Sequence, residues 1–106
     1  MRQTNADLRR YYRVANAKYF AGRLPKDMPV LFSRLKGRTG LTYVYKDTTP
    51  LSILVNEDLR TYQAITILTV IHEMVHVEHP QWKGHGWQFD RRMLRLAKDR
   101  AFCGLW

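Results

Sequence analysis

The sequence is short of cysteine, of acidic residues and of long apolar runs, and each shortage excludes a class of protein. One cysteine in 106 residues, Cys103, leaves no disulfide framework and no Cys₄ or Cys₂His₂ zinc module. No run approaches the ~18 apolar residues that a membrane helix needs. The basic start passes into a mixed helical pattern, not the apolar stretch of a signal peptide. Nine Asp and Glu face 18 Lys and Arg, leaving a formal charge of +9. With 45% hydrophobic and 12% aromatic residues, the chain is too apolar for a disordered basic tail. The expectation is one soluble, monomeric domain over residues 1–106 with no membrane association. It would be cytoplasmic, or in the nucleoid or nucleus if held on DNA. Its excess charge calls for an anionic partner, most often nucleic acid.

Periodicity predicts an α+β domain. Leu8, Tyr12, Ala15 and Tyr19 recur at helical spacing, predicting a helix over 5–21, stopped by Gly22 and Pro25. Strands are expected at 29–35, 40–46 and 51–56, the first two joined as a hairpin through Lys36–Gly40. Residues 60–79 are rich in β-branched side chains around Thr66–Ile71, which favours a strand in isolation. The periodic segment is too long for an ordinary strand, and its apolar residues fall on several sides. It is therefore expected to be a central buried helix. A last helix over 86–100 would turn Phe89, Met93 and Leu96 inward and Arg91, Arg92, Arg95 and Lys98 more outward.

The predicted central helix carries His72-Glu73-Met74-Val75-His76. Residues four apart lie about 40° apart around a helix and about 6 Å along it, so both imidazoles can reach one metal ion. Glu73 lies about 60° from His76, where it misses the metal yet reaches a water held there. That is the pattern of metal-assisted hydrolysis. A catalytic zinc needs a third protein ligand and an open position. His79 shares the helical face, but three ligands in line approach from nearly one direction. His85 follows the breakers Pro80 and Gly84 and can arrive from the side, so it is the expected third ligand. His79 is then a helix-end residue or a support for a ligand. Glu78 points off the histidine face. Asp90 is expected to be solvated, with a supporting role left open.

HEMVH at 72–76, followed by Gly84-His85-Gly86-Trp87-Gln88-Phe89, resembles the SprT/Spartan-type zinc metalloprotease domain with its GHGxxF segment. Upstream, Asn16-Ala17-Lys18-Tyr19-Phe20-Ala21-Gly22-Arg23-Leu24-Pro25 resembles that family's N-x-x-x-F-x-G-x-L-P opening. The strand ending in Asn56 ahead of the central helix also fits. The likeness covers roughly residues 10–96. It implies a minimal zincin-like fold, His72, His76 and His85 as Zn²⁺ ligands, and Glu73 as general acid/base. It also implies action on proteins bound or crosslinked to DNA. A C-terminal cysteine zinc ribbon and a long DNA-binding tail, present in many relatives, are not expected here. A metzincin would need glycine at 79 and histidine at 82, where the chain has His79 and Trp82.

Seven basic residues lie in positions 1–26 and six in 83–100, with too few acids at helical spacing to neutralise them. Such a surface would bind phosphates without sequence preference and in a salt-sensitive way. Trp82 and Trp87 flank His85 as stacking platforms, a cleft rim or core. Tyr43 and Tyr45 share one strand face, where packing is expected and oxyanion contact is the sharper alternative. Cys103 is expected to be buried, and Trp106 to dock the C-terminus. The leading expectation is a zinc endopeptidase whose substrate lies extended along the 51–56 strand. The others are a non-catalytic zinc-stabilised module that binds nucleic acid or protein, and a metal-free basic interaction protein.

Overall fold

A computed structural model describes residues 2–47, 49–82 and 84–102. Helix α1 (Asn5–Tyr19) precedes strands β1 (Val30–Ser33), β2 (Gly40–Val44) and β3 (Pro50–Asn56). A single 3₁₀ turn (Glu57–Leu59) leads to helices α2 (Gln63–Glu78) and α3 (Trp87–Lys98). The α+β class and the order of elements match the expectation. Cys103 and Trp106 lie outside the described residues.

Helix α1 starts at a reciprocal cap: the Asp7 N–H donates to the Thr4 hydroxyl, and the Thr4 N–H donates to the Asp7 carboxylate at 2.8 Å. Two of the first turn's free donors are satisfied this way. Leu8, Tyr11, Tyr12 and Ala15 turn into the core. The helix stops at Tyr19 rather than 21, because Ala21 (φ 54°) and Gly22 (φ 68°) both enter the left-handed region. Buried Asn16 holds the return: its amide donates to the Leu24 carbonyl and accepts from the Leu24 N–H, both at 3.1 Å. The Asn16–Pro25 stretch is therefore a single fastening, with Phe20 fully buried inside it.

The hairpin expected through residues 36–40 does not form. Strand β3 is central in the order β1-β3-β2, with β1 parallel and β2 antiparallel to it. Residues 34–39 instead cross the end of β3, where the Asn56 side-chain amide donates to the Leu35 and Arg38 carbonyls, each at 2.9 Å. Central placement buries Ile53 and Val55 fully and pairs both edges of β3. The observed hairpin is β2–β3, closed by Tyr45 N–H donating to Thr49 O at 2.8 Å. This removes 51–56 as a docking edge, since both sides of β3 are already paired.

Helix α2 forms despite its β-branched run. Thr66 and Thr69 bond back to the carbonyls four residues earlier, each at 2.8 Å, while Ile67, Val70, Ile71, Met74 and Val75 are fully buried. Tertiary burial outweighs the modest propensity cost of branching. Burial is not all-round, however: Ile65 and Leu68 are exposed. In α3, Phe89 and Leu96 are buried and Met93 packs against the core. Arg92, expected to point outward, turns inward over the Phe20 ring and makes a bidentate pair with the buried Glu78 carboxylate, at 2.7 and 3.2 Å. Among the described residues, no helix is long and apolar enough to cross a membrane.

Candidate metal centre

His72 and His76 stand one turn apart on α2. Gly84 (φ 70°) turns the chain back after α2, so that His85 reaches them from the approach to α3. The His85 Nε2 lies 3.1 Å from His72 Nε2 and 3.2 Å from His76 Nε2. One ligand atom from each ring falls within 4.8 Å of the others. Phe89 forms the floor, its ring centroid 4.9, 4.8 and 4.5 Å from those of His72, His76 and His85. The first turn of α3 therefore supplies both the third histidine's anchor and its apolar support.

The donor set fits zinc. Zn–N bonds of about 2.0–2.1 Å in tetrahedral geometry imply N···N separations of roughly 3.3 Å, close to those seen. Three ring nitrogens facing one point cannot satisfy each other as neutral hydrogen-bond partners, whereas a cation accepts all three lone pairs. Burial, then the neighbouring His85 and His76, pushes the His72 pKa down to about 4. Burial and then His85 lower that of His76. Both rings are thus held in the neutral form that a metal requires.

Glu73 lies beside this cluster without joining it. Its side chain is 7% exposed, and Oε2 is 3.9 Å from His72 Nε2. Oε1 accepts from the Thr42 hydroxyl at 2.8 Å. Burial raises its pKa, opposed by the Thr42 hydrogen bond and the Arg38 charge. A cleft of about 700 Å³ opens between residues 37–42 and the three histidines. Spacing on α2 signals the histidines, but nothing local signals Thr42 or Gly40, which reach Glu73 only through sheet order.

The other candidates separate cleanly. His79 is the C-terminal cap residue of α2, stacked on Trp82 at 3.8 Å, and it stays outside the cluster. Glu78 faces Arg92, Arg23 (3.0 Å) and His79 (3.4 Å), tying α2 to α3 and to the end of α1. Asp90 is exposed on α3, away from the histidines. Trp82 is half-buried and lines the cleft, whereas Trp87 is 66% exposed with Arg91 over its ring at 5.9 Å. Tyr43 and Tyr45 are exposed rather than packed, and neither lines the cleft.

No curated protein and no solved structure matches the chain. The SprT-like family matches residues 8–103, nearly the whole sequence, and the chain belongs to that family.

Proposed function

We propose that this member of the SprT-like family is a zinc-dependent endopeptidase in which Glu73 is the general acid/base. The observation that carries it is a division of labour between one turn of α2 and the residue that approaches it from the side. Three imidazoles face one point, and the adjacent carboxylate stands next to that point without contributing to it. His72, His76 and His85 would hold the ion. Zinc, when bound, supplies Lewis-acid polarisation of a carbonyl and lowers the pKa of a water. Glu73 then takes the attacking water's proton on Oε2 and returns it to the departing amine. Its burial favours the protonated state, which suits the return step.

Ligand number separates this from a non-catalytic zinc module. Structural zinc sites use four protein ligands, and among the described residues no fourth His, Cys, Asp or Glu joins the three. The peptide would lie along β2, whose outer edge beside the cleft pairs with no other strand among the described residues, in β-augmentation fashion.

The substrate is proposed to be a DNA-associated protein, with nucleic acid bound through the basic surface. Support comes from a second cavity of about 380 Å³ lined by Arg9, Arg13 and Lys26, with Asp27. Among the described residues, none of these three cations has a carboxylate within ion-pair distance, whereas Arg10, Arg23, Arg60, Arg92 and Arg95 all do.

The deciding experiment pairs the parent chain with Glu73→Gln on a DNA-bound protein substrate, with and without DNA. Glu73→Gln is expected to lose about 10²–10⁴-fold in cleavage rate, with zinc content and melting temperature unchanged. Equal cleavage by the variant sinks the protease function. An inactive parent whose His72→Ala variant loses zinc and stability together would mark a structural module.

A further inference from the structure

We propose that Thr42, with Gly40 beside it, is a positioning residue that fixes which oxygen of Glu73 faces the reacting water; this rests on the metallopeptidase function proposed above. Gly40 and Thr42 lie on the helix side of β2, because their ladder partners are Val55 and Ile53, both fully buried. The Thr42 hydroxyl donates to Glu73 Oε1 at 2.8 Å and lies 3.2 Å from the Glu73 backbone oxygen. The backbone oxygen already accepts within α2, and the carboxylate is the stronger acceptor when ionised. Occupying Oε1 leaves Oε2 as the oxygen turned towards the histidines. A terminal carboxylate torsion is otherwise broad and two-fold. Removing the donor leaves a buried oxygen unsatisfied and the choice between the two oxygens undetermined.

Gly40 completes the clamp by what it lacks. A Cβ there would meet Thr69 Cγ2 at 2.6 Å and both Glu73 Cγ and Oε2 at 3.1 Å. Its φ lies outside the left-handed region, so glycine serves here for space and not for conformation. The strand's starting point is itself fixed: Asn56 N–H donates to Thr39 O at 2.8 Å, and the Asn56 side chain holds the Leu35 and Arg38 carbonyls. Strand β2 therefore closes on Glu73 at one register, with a donor for one carboxylate oxygen and room for the other. A general base must stand within about 2.6–3.2 Å of the proton it removes.

Two substitutions at one position test this. Thr42→Val keeps the branched shape and removes the donor, whereas Thr42→Ser keeps the donor and removes a methyl. In the zinc-loaded full chain, Thr42→Val is expected to lower kcat about 10- to 100-fold with KM within about twofold. Thr42→Ser should return kcat to within about threefold of the parent. Crystal structures of both variants read the clamp independently of turnover: the Glu73 carboxylate should leave β2 in Thr42→Val and stay in Thr42→Ser. Gly40→Ala should displace the same carboxylate from the opposite side. An unmoved Glu73 and an unchanged kcat in Thr42→Val would overturn the proposal while leaving a Glu73-dependent protease intact. A parent that does not cleave overturns the protease function instead, and the crystal structures still decide the clamp.

Discussion

Two cavities of this protein occur at opposite edges of one sheet and are built on different physics. The cleft beside β2 depends on closely packed, mutually dependent groups: three imidazoles over Phe89, half-buried at His72 and His76 and exposed at His85, and a buried carboxylate clamped by a strand. The cavity before β1 is lined by cations from α1 and the segment after it, none of them paired with a carboxylate among the described residues. Interactions of the first kind are short-ranged, so losing one member leaves the others unsatisfied. Interactions of the second kind are long-ranged, additive and weakened by salt. On the proposed function, chemistry would be confined to one end while nucleic-acid binding is tuned at the other.

That contrast can be broken most directly at His85, the proposed ligand delivered from outside α2. His85→Ala is expected to lower zinc affinity by more than about 100-fold, since even outer support of a ligand is worth 10–100-fold. Competition with a chromophoric chelator measures it, and nucleic-acid binding should not change. Undiminished zinc affinity would mean that the three rings do not act together.

The converse experiment replaces Arg9, Arg13 and Lys26 by Gln. Loss of three phosphate contacts should reduce the slope of log K against log salt by about 2–3 for single- or double-stranded DNA. Zinc content and cleavage of a free peptide should remain at parental levels. An unaltered salt slope would overturn the proposed role of this cavity in nucleic-acid binding.

A smaller effect sharpens the comparison at Tyr12, which is buried beneath the basic cavity and donates to the Pro25 carbonyl. Burial pushes its pKa up to about 12, above the value of about 10 in an unfolded chain. Between these values the unfolded state gives up its proton first, so stability falls as pH rises through that window. Tyr12→Phe should therefore lose less on going from pH 9 to 11 than the parent, by about a few °C in Tm. Parallel alkaline declines in both proteins would show that the phenol is not the titrating group.

Much of the active end was legible because it is local. HEMVH needs only the helical repeat to bring His72 and His76 together, and Pro80 and Gly84 announce the turn that returns His85. The helix itself was harder to read, because the Thr66–Ile71 run has strand propensity and only tertiary burial makes it a helix. Arg92 misled for the reason that charged helix residues usually do. Solvation is the default, and Glu78 overrides it from 14 residues away. Sheet order was not legible at all. A five-residue connection suits a hairpin, and nothing in residues 36–40 announces that Asn56 will draw that segment across the end of β3.

The sequence by itself determined the class of fold, the order of elements, a three-histidine centre with a flanking carboxylate, and a strong positive charge. These follow from composition and from a repeat of 3.6 residues, both properties of short stretches of chain. Tertiary structure alone decided which strand is central and which edge borders the cleft. It also decided that Thr42 and Gly40 set the orientation of Glu73. Those outcomes depend on contacts between separate elements, such as Val30 with Ile53 and Thr42 with Glu73. They also depend on the full burial of Ile53 and Val55 in the central strand, which no short stretch of chain specifies.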